Sequence, residues 1–96
     1  LRIDHSRQDA YVRGKPVHLS AIEYKLLSCL LENASFVCSH RSLLTQVWGW
    51  EYADQPDYLK VYVHHLRRKI EDDPRQPRYI HTERGKGYRF EPRQPC

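Results

Sequence analysis

Tyr58-Leu59-Lys60-Val61-Tyr62-Val63-His64-His65-Leu66-Arg67-Arg68-Lys69-Ile70-Glu71 is the stretch that decides the fold of this chain. On a helical wheel each residue advances by roughly 100°. Leu59, Val63, Leu66 and Ile70 then share one narrow apolar stripe, the pattern of a helix that buries one face. Asp57, Val61, His64, His65 and Arg68 fall on the opposite side, with Lys60 at its margin. That outer face offers donors, cations and one small apolar group, the inventory that reads base edges and phosphates in a major groove. Downstream come Tyr79-Ile80-His81-Thr82-Glu83, Arg84-Gly85-Lys86-Gly87 and Tyr88-Arg89-Phe90. Two short strand-like runs around a Gly-rich cationic turn predict a hairpin.

Working outward, 96 residues make one domain with a single modest core. The chain opens on Leu1, inside an expected strand, so we read it as a domain of a longer protein. Its formal charge is +4, and the distribution is informative. Residues 1–54 balance six Lys/Arg against six Asp/Glu, whereas residues 55–96 carry ten against six. The whole excess therefore lies in the helix-hairpin half, where a polyanion would be met. Cys29, Cys38 and Cys96 are odd in number and lack Cys-x-x-Cys spacing, which fits free thiols in a reducing cytoplasm. No apolar run approaches membrane-spanning length and no signal-peptide pattern is present, so no membrane is expected in this fragment.

The remaining segments order themselves around that helix. Residues 1–19 read as a small antiparallel sheet: Leu1-Arg2-Ile3-Asp4 alternates, and Ala10–Arg13 and Val17–Leu19 flank the turn Gly14-Lys15-Pro16. Residues 20–71 hold three helices. Ser20-Ala21-Ile22-Glu23 is a capping box, starting a helix to about Asn33 with Ile22, Leu26, Leu27, Leu30 and Leu31 inward. Ser39 caps a second helix that buries Leu43, Leu44, Val47 and Trp48 and stops at Gly49. A loop over residues 49–57 leads to the third helix, Tyr58–Glu71, which ends at Asp72-Asp73-Pro74. Residues 78–90 form the hairpin, and Glu91–Cys96 reads as a tail. The fold class is α+β, a winged helix-turn-helix with an N-terminal antiparallel sheet, three helices and a C-terminal β-hairpin wing.

Four blocks carry a resemblance. They are Leu19–Leu27, Leu43–Trp48, Val61–Ile70 and Arg84–Phe90, and they come in order over nearly the whole chain. Together they resemble the C-terminal effector domain of OmpR/PhoB-type response regulators. The resemblance implies a four-stranded N-terminal sheet, a third helix in the major groove and a wing in the adjacent minor groove. It also implies a receiver domain upstream, a cognate histidine kinase, and dimers on direct-repeat half-sites of double-stranded DNA. The loop between the second and third helices often touches RNA polymerase in such proteins. Trp50, Glu51, Tyr52 and Asp54 occupy it here. Family members commonly place arginines where this chain has His64 and His65.

The expected base-reading residues are Val61, His64, His65 and Arg68. Tyr58, Lys60, Tyr62 and Arg67 are expected at phosphates, which position a protein without reading sequence; Tyr62 fits the edge of the core equally well. Arg84 and Lys86 suit a minor groove of enhanced negative potential, while Gly85 and Gly87 serve the turn. Arg89 alternates with Tyr88 and Phe90 and should face away from the core, toward phosphate or solvent. Trp50 and Tyr52 either present a partner surface or fold back on the third helix. His64 and His65 point about 100° apart and do not chelate one ion, so neither metal nor cofactor is expected. The chain has no nucleophile elbow, phosphate loop or paired carboxylates, and no enzyme is expected. Two other readings stand: a winged helix whose basic face docks an acidic protein, and the DNA-binding domain of a membrane-anchored one-component regulator.

Overall fold

The computed structural model of the protein describes residues 1–91, so Cys96 and most of the expected tail lie outside the described residues. The N-terminal sheet consists of β1 (Arg2–Asp4), β2 (Asp9–Val12) and β3 (Lys15–His18), antiparallel and in that order. Its first turn is tied by Asp4 Oδ1, which accepts from the Ser6 and Arg7 amides at 3.1 and 3.2 Å and from Ser6 Oγ at 2.7 Å. The second turn uses Gly14 at φ +78°. The family's fourth strand is not found among the described residues: two turn signals divide residues 1–19 into three strands only. Ala10 and Val12 point from β2 into the core, and Ile3 and Val17 pack beside them.

Helix α1 (Ala21–Glu32) starts at the expected capping box, with Ser20 N–H donating to Glu23 Oε1 at 2.8 Å and Glu23 N–H to Ser20 Oγ at 3.2 Å. Leu26, Leu27 and Leu30 are buried, while Ile22 and Leu31 close the stripe at its half-buried edges. A short strand that the sequence did not announce, β4 (Val37–Ser39), precedes α2 (His40–Val47). Ser39 caps α2 through Ser42 N–H at 3.0 Å. Trp50–Tyr52 forms one turn of 3-10 helix within the expected loop.

Helix α3 runs Pro56–Ile70, two residues earlier than expected and ending one residue sooner. A proline lacks the N–H that the first helical turn leaves unpaired and is already set at helical φ, so Pro56 opens the helix instead of closing the loop. Leu59, Val63, Leu66 and Ile70 are all buried, as the wheel requires. They meet Leu26, Leu27 and Leu30 of α1 and Leu43, Leu44 and Val47 of α2 in one core. Each such side chain contributes about 1.5–3 kcal/mol on burial.

The hairpin is β5 (Ile80–Glu83) and β6 (Gly87–Phe90), with Ile80 opposite Phe90. It is not free-standing. Strand β4 pairs with β6, Cys38 opposite Tyr88, so the wing belongs to a three-stranded sheet of order β4-β6-β5. Ile80 and Phe90 are essentially fully buried and anchor that sheet on the helical core.

Candidate nucleic-acid interface

Burial of the α3 stripe turns the rest of the helix outward. Val61, His64, His65 and Arg68 are all exposed, and Val61 keeps 49% of its surface. The His64 and His65 rings lie 6.5 Å apart, and His65 stands edge-on to Tyr62 at 5.6 Å. Toward the C-terminal end, His65, Arg68 and Lys69 line an open cleft of about 470 Å³ together with Glu23 of α1. Toward the N-terminal end, Asp57, Tyr58, Val61 and Tyr62 line a second cleft of about 340 Å³. The outer face is thus aromatic and aliphatic at one end and cationic at the other.

The four residues expected at phosphates differ in how free they are. Lys60 is exposed. Tyr58 is 45% exposed, its ring against Tyr52 at 5.5 Å and Trp48 at 6.4 Å. Tyr62 is half-buried edge-on to Trp48 at 5.4 Å, which makes it a core-edge aromatic. Arg67 is the least free of the four. Its guanidinium turns inward: Nη2 donates to Ile80 O and Thr82 Oγ1, both at 2.8 Å, Nε donates to Ile80 O at 3.2 Å, and the group lies 5.8 Å from the Tyr88 ring centre. Its position 80° from the stripe's leading residue brings it against the hairpin rather than into solvent.

At the wing tip, Arg84 and Lys86 are exposed, and Gly85 adopts φ +72°. Lys86 N–H donates to Glu83 O at 2.9 Å and closes the turn. Arg89 does face away from the core, with its side chain 27% exposed. It pairs with Glu83 at 3.0 Å and Glu91 at 2.8 Å, its neighbours along and across the sheet face. In the 3-10 segment Trp50 is 76% exposed, and Glu51 and Asp54 are exposed, with Asp54 3.4 Å from Arg41. Tyr52 instead folds back on Tyr58 of α3.

Two carboxylates hold this face in place beyond what the sequence announced: Glu23 was expected only as the capping-box partner of Ser20, and Glu71 was not singled out. Glu23, buried in α1, accepts from Lys69 Nζ at 2.6 Å, and the same ammonium donates to His18 O at 2.9 Å. Burial alone would push the Glu23 carboxyl up, but the Lys69 and Ser20 hydrogen bonds outweigh it and hold the group below the usual carboxylate range. The stability it contributes is therefore present above the ordinary carboxylate value and is lost as pH falls through the folded-state value. Glu71 caps the C-terminus of α3 at 7% exposure and accepts from three successive amides, Arg78 (2.8 Å), Tyr79 (3.1 Å) and Ile80 (2.9 Å). A buried amide left without such a partner costs about 1–3 kcal/mol. The signal was available: an acidic residue at a helix C-terminus opposes the macrodipole and needs another partner.

Among the described residues no group of three or more His, Cys, Asp or Glu could hold a metal ion, and no helix is long and apolar enough to cross a membrane. Burial raises the thiol pKa of both Cys29 and Cys38.

Residues 14–90 match the family described as "Transcriptional regulatory protein, C terminal". The chain is 51% identical over 74 residues to the KDP operon transcriptional regulatory protein KdpE of Escherichia coli, covering 77% of this chain and 33% of that protein. It is 40% identical over 91 residues to the DNA-binding dual master transcriptional regulator RpaA of Synechocystis, covering 95% and 38%. It therefore spans about a third of the length of these curated relatives. Among solved structures, the OmpR/PhoB homologue DrrB of Thermotoga maritima superposes with TM-score 0.83 at 37% identity, over 93% of this chain and 40% of that one. The RstA DNA-binding domain of Klebsiella pneumoniae, solved in complex with the RstA box, gives TM-score 0.85 at 30% identity over 95% and 90%. Two small sheets, three helices and a basic helix-hairpin face agree with these matches, and the chain belongs to the transcriptional regulatory protein C-terminal family, the winged-helix effector domains of OmpR/PhoB-type response regulators.

Proposed function

We propose that this domain binds double-stranded DNA sequence-specifically and regulates transcription as the effector domain of a two-component response regulator. Helix α3 would lie in the major groove and the 84–87 turn in the adjacent minor groove. The observation that carries the reading is that Val61, His64, His65 and Arg68 on α3 and Arg84 and Lys86 at the wing tip are all exposed, a donor-rich helix face and a cationic turn on one domain. The relative RstA was solved on its own DNA box, and KdpE is named for an operon. A receiver domain upstream, a histidine kinase acting on it, dimers on direct repeats and a contact of Trp50, Glu51 and Asp54 with RNA polymerase complete the proposal. The setting is the cytoplasm, and the relatives are regulators rather than enzymes.

Selection of bound duplexes from a random pool tests it. A recovered consensus with a steep salt dependence supports specific DNA binding; equal affinity for every duplex sinks it and favours the acidic-protein reading. Within that assay, Arg84→Ala with Lys86→Ala should abolish any preference for A·T-rich DNA beside the half-site while keeping the major-groove consensus, because a narrow minor groove attracts cations. An unchanged preference would take the wing off the DNA. Replacing both His64 and His65 by arginine should steepen the slope of log affinity against log salt by up to about two, since each permanent cation at a phosphate adds roughly 0.9.

A further inference from the structure

We infer that Arg67 and Glu71 act as a ruler, fixing the wing at one spacing from the recognition helix and so making DNA recognition depend on the register between the major-groove site and its minor-groove flank. The inference rests on the DNA-binding reading above. Both residues lie on α3 or its cap, one helical turn apart on the side that meets the hairpin. Glu71 takes the three amides of Arg78, Tyr79 and Ile80, which is where the chain enters β5. Arg67 takes the carbonyl of Ile80 and the hydroxyl of Thr82 inside β5. A carboxylate and a guanidinium thus grip one strand from both polarities, donors and acceptors alike. Ile80 is held at its amide by one and at its carbonyl by the other.

The geometry leaves little play. These bonds lie between 2.8 and 3.2 Å, and a hydrogen bond is gone at about 3.6 Å. Sliding the wing along DNA by one base pair means moving it by about 3.4 Å, which none of them would survive. β6 holds the hairpin from its other edge through β4, leaving the exposed tip Arg84–Lys86 as the part that reaches outward. The wing's cations and the outer face of α3 are therefore one rigid reading unit, in which Arg67 and Glu71 are positioning residues that need not touch DNA.

The test compares three duplexes: the selected half-site with its A·T flank in place, the same with the flank displaced by one inserted base pair, and a random duplex. The wild-type domain should bind the first over the second by roughly 5-fold or more, the low end of what one misplaced base pair costs. Glu71→Gln, Arg67→Lys and Thr82→Val should each pull that ratio toward one while still preferring either site over random DNA. Simple destabilisation lowers the active fraction equally on all three duplexes and leaves the ratio unchanged, so the ratio separates positioning from folding. Thr82→Val alters one exposed hydroxyl and keeps the measurement open if a charge variant does not fold. A folded variant that keeps the wild-type ratio overturns the ruler, as does a wild type that binds its consensus but ignores the insertion. A wild type that binds no duplex specifically overturns the DNA reading itself.

Discussion

Gly87→Ala is expected to lower the thermal midpoint by about 10–25 °C, from a loss on the order of 2–4 kcal/mol at roughly 4–8 °C per kcal/mol in a domain of this size. A Cβ at Gly87 would overlap the Cys38 carbonyl oxygen and stand 2.8 Å from its carbon and 2.9 Å from Ser39 Cα. These are backbone atoms of the neighbouring strand, which cannot swing aside as a side chain can. Relief requires β4 to part from β6, and β4 leads directly into Ser39, the cap of α2. The penalty therefore spreads from the wing sheet into the helical core. Gly85→Ala is the control. It meets open space and suffers only its positive φ of +72°, about 1–2 kcal/mol for a residue with a Cβ. Thermal or urea unfolding of the two variants should separate them clearly. Equal midpoints would mean that β4 does not close on the hairpin.

The contrast between those two glycines shows where the sequence was legible. Patterns confined to one element were read correctly: the α3 stripe repeats within four turns, the capping box spans four residues, and the hairpin announces its own turn. Strand β4 was missed because three residues, Val37-Cys38-Ser39, are too few to alternate and their partner strand lies some fifty positions away. Gly87 was accordingly assigned to the turn, when its need arises from that distant strand. The partners of polar side chains were not legible either. Arg67 and Arg89 look alike in sequence as outward cations, but folding brings Ile80 and Thr82 of β5 to Arg67, while Arg89 finds Glu83 across the hairpin and Glu91 two positions on. Tyr52 was ambiguous until Tyr58 came beside it. The outer face of α3 was legible because it is defined by the stripe it opposes, which local periodicity determines.

That distinction between free and committed cations yields the last expected result. Arg68→Ala should weaken binding to the selected half-site by roughly 5- to 150-fold, the worth of about 1–3 kcal/mol of base discrimination, and weaken binding to random DNA far less. His65→Ala should act in the same sense, since both are exposed and line the same cleft at the C-terminal end of α3. Lys60→Ala should weaken selected and random duplexes alike and flatten the salt slope by about one, the mark of one lost phosphate contact. Arg67→Ala separates the accounts of this helix. Were it a phosphate contact it would behave as Lys60; with its donors on Ile80 and Thr82 it should instead lower stability and leave the salt slope near that of the wild type. Affinities on both duplexes across a salt series, with a melting curve for each variant, give every quantity needed. If all four variants lower both affinities by one common factor, α3 has no reading face, and its exposed residues bind polyanions without distinguishing among them.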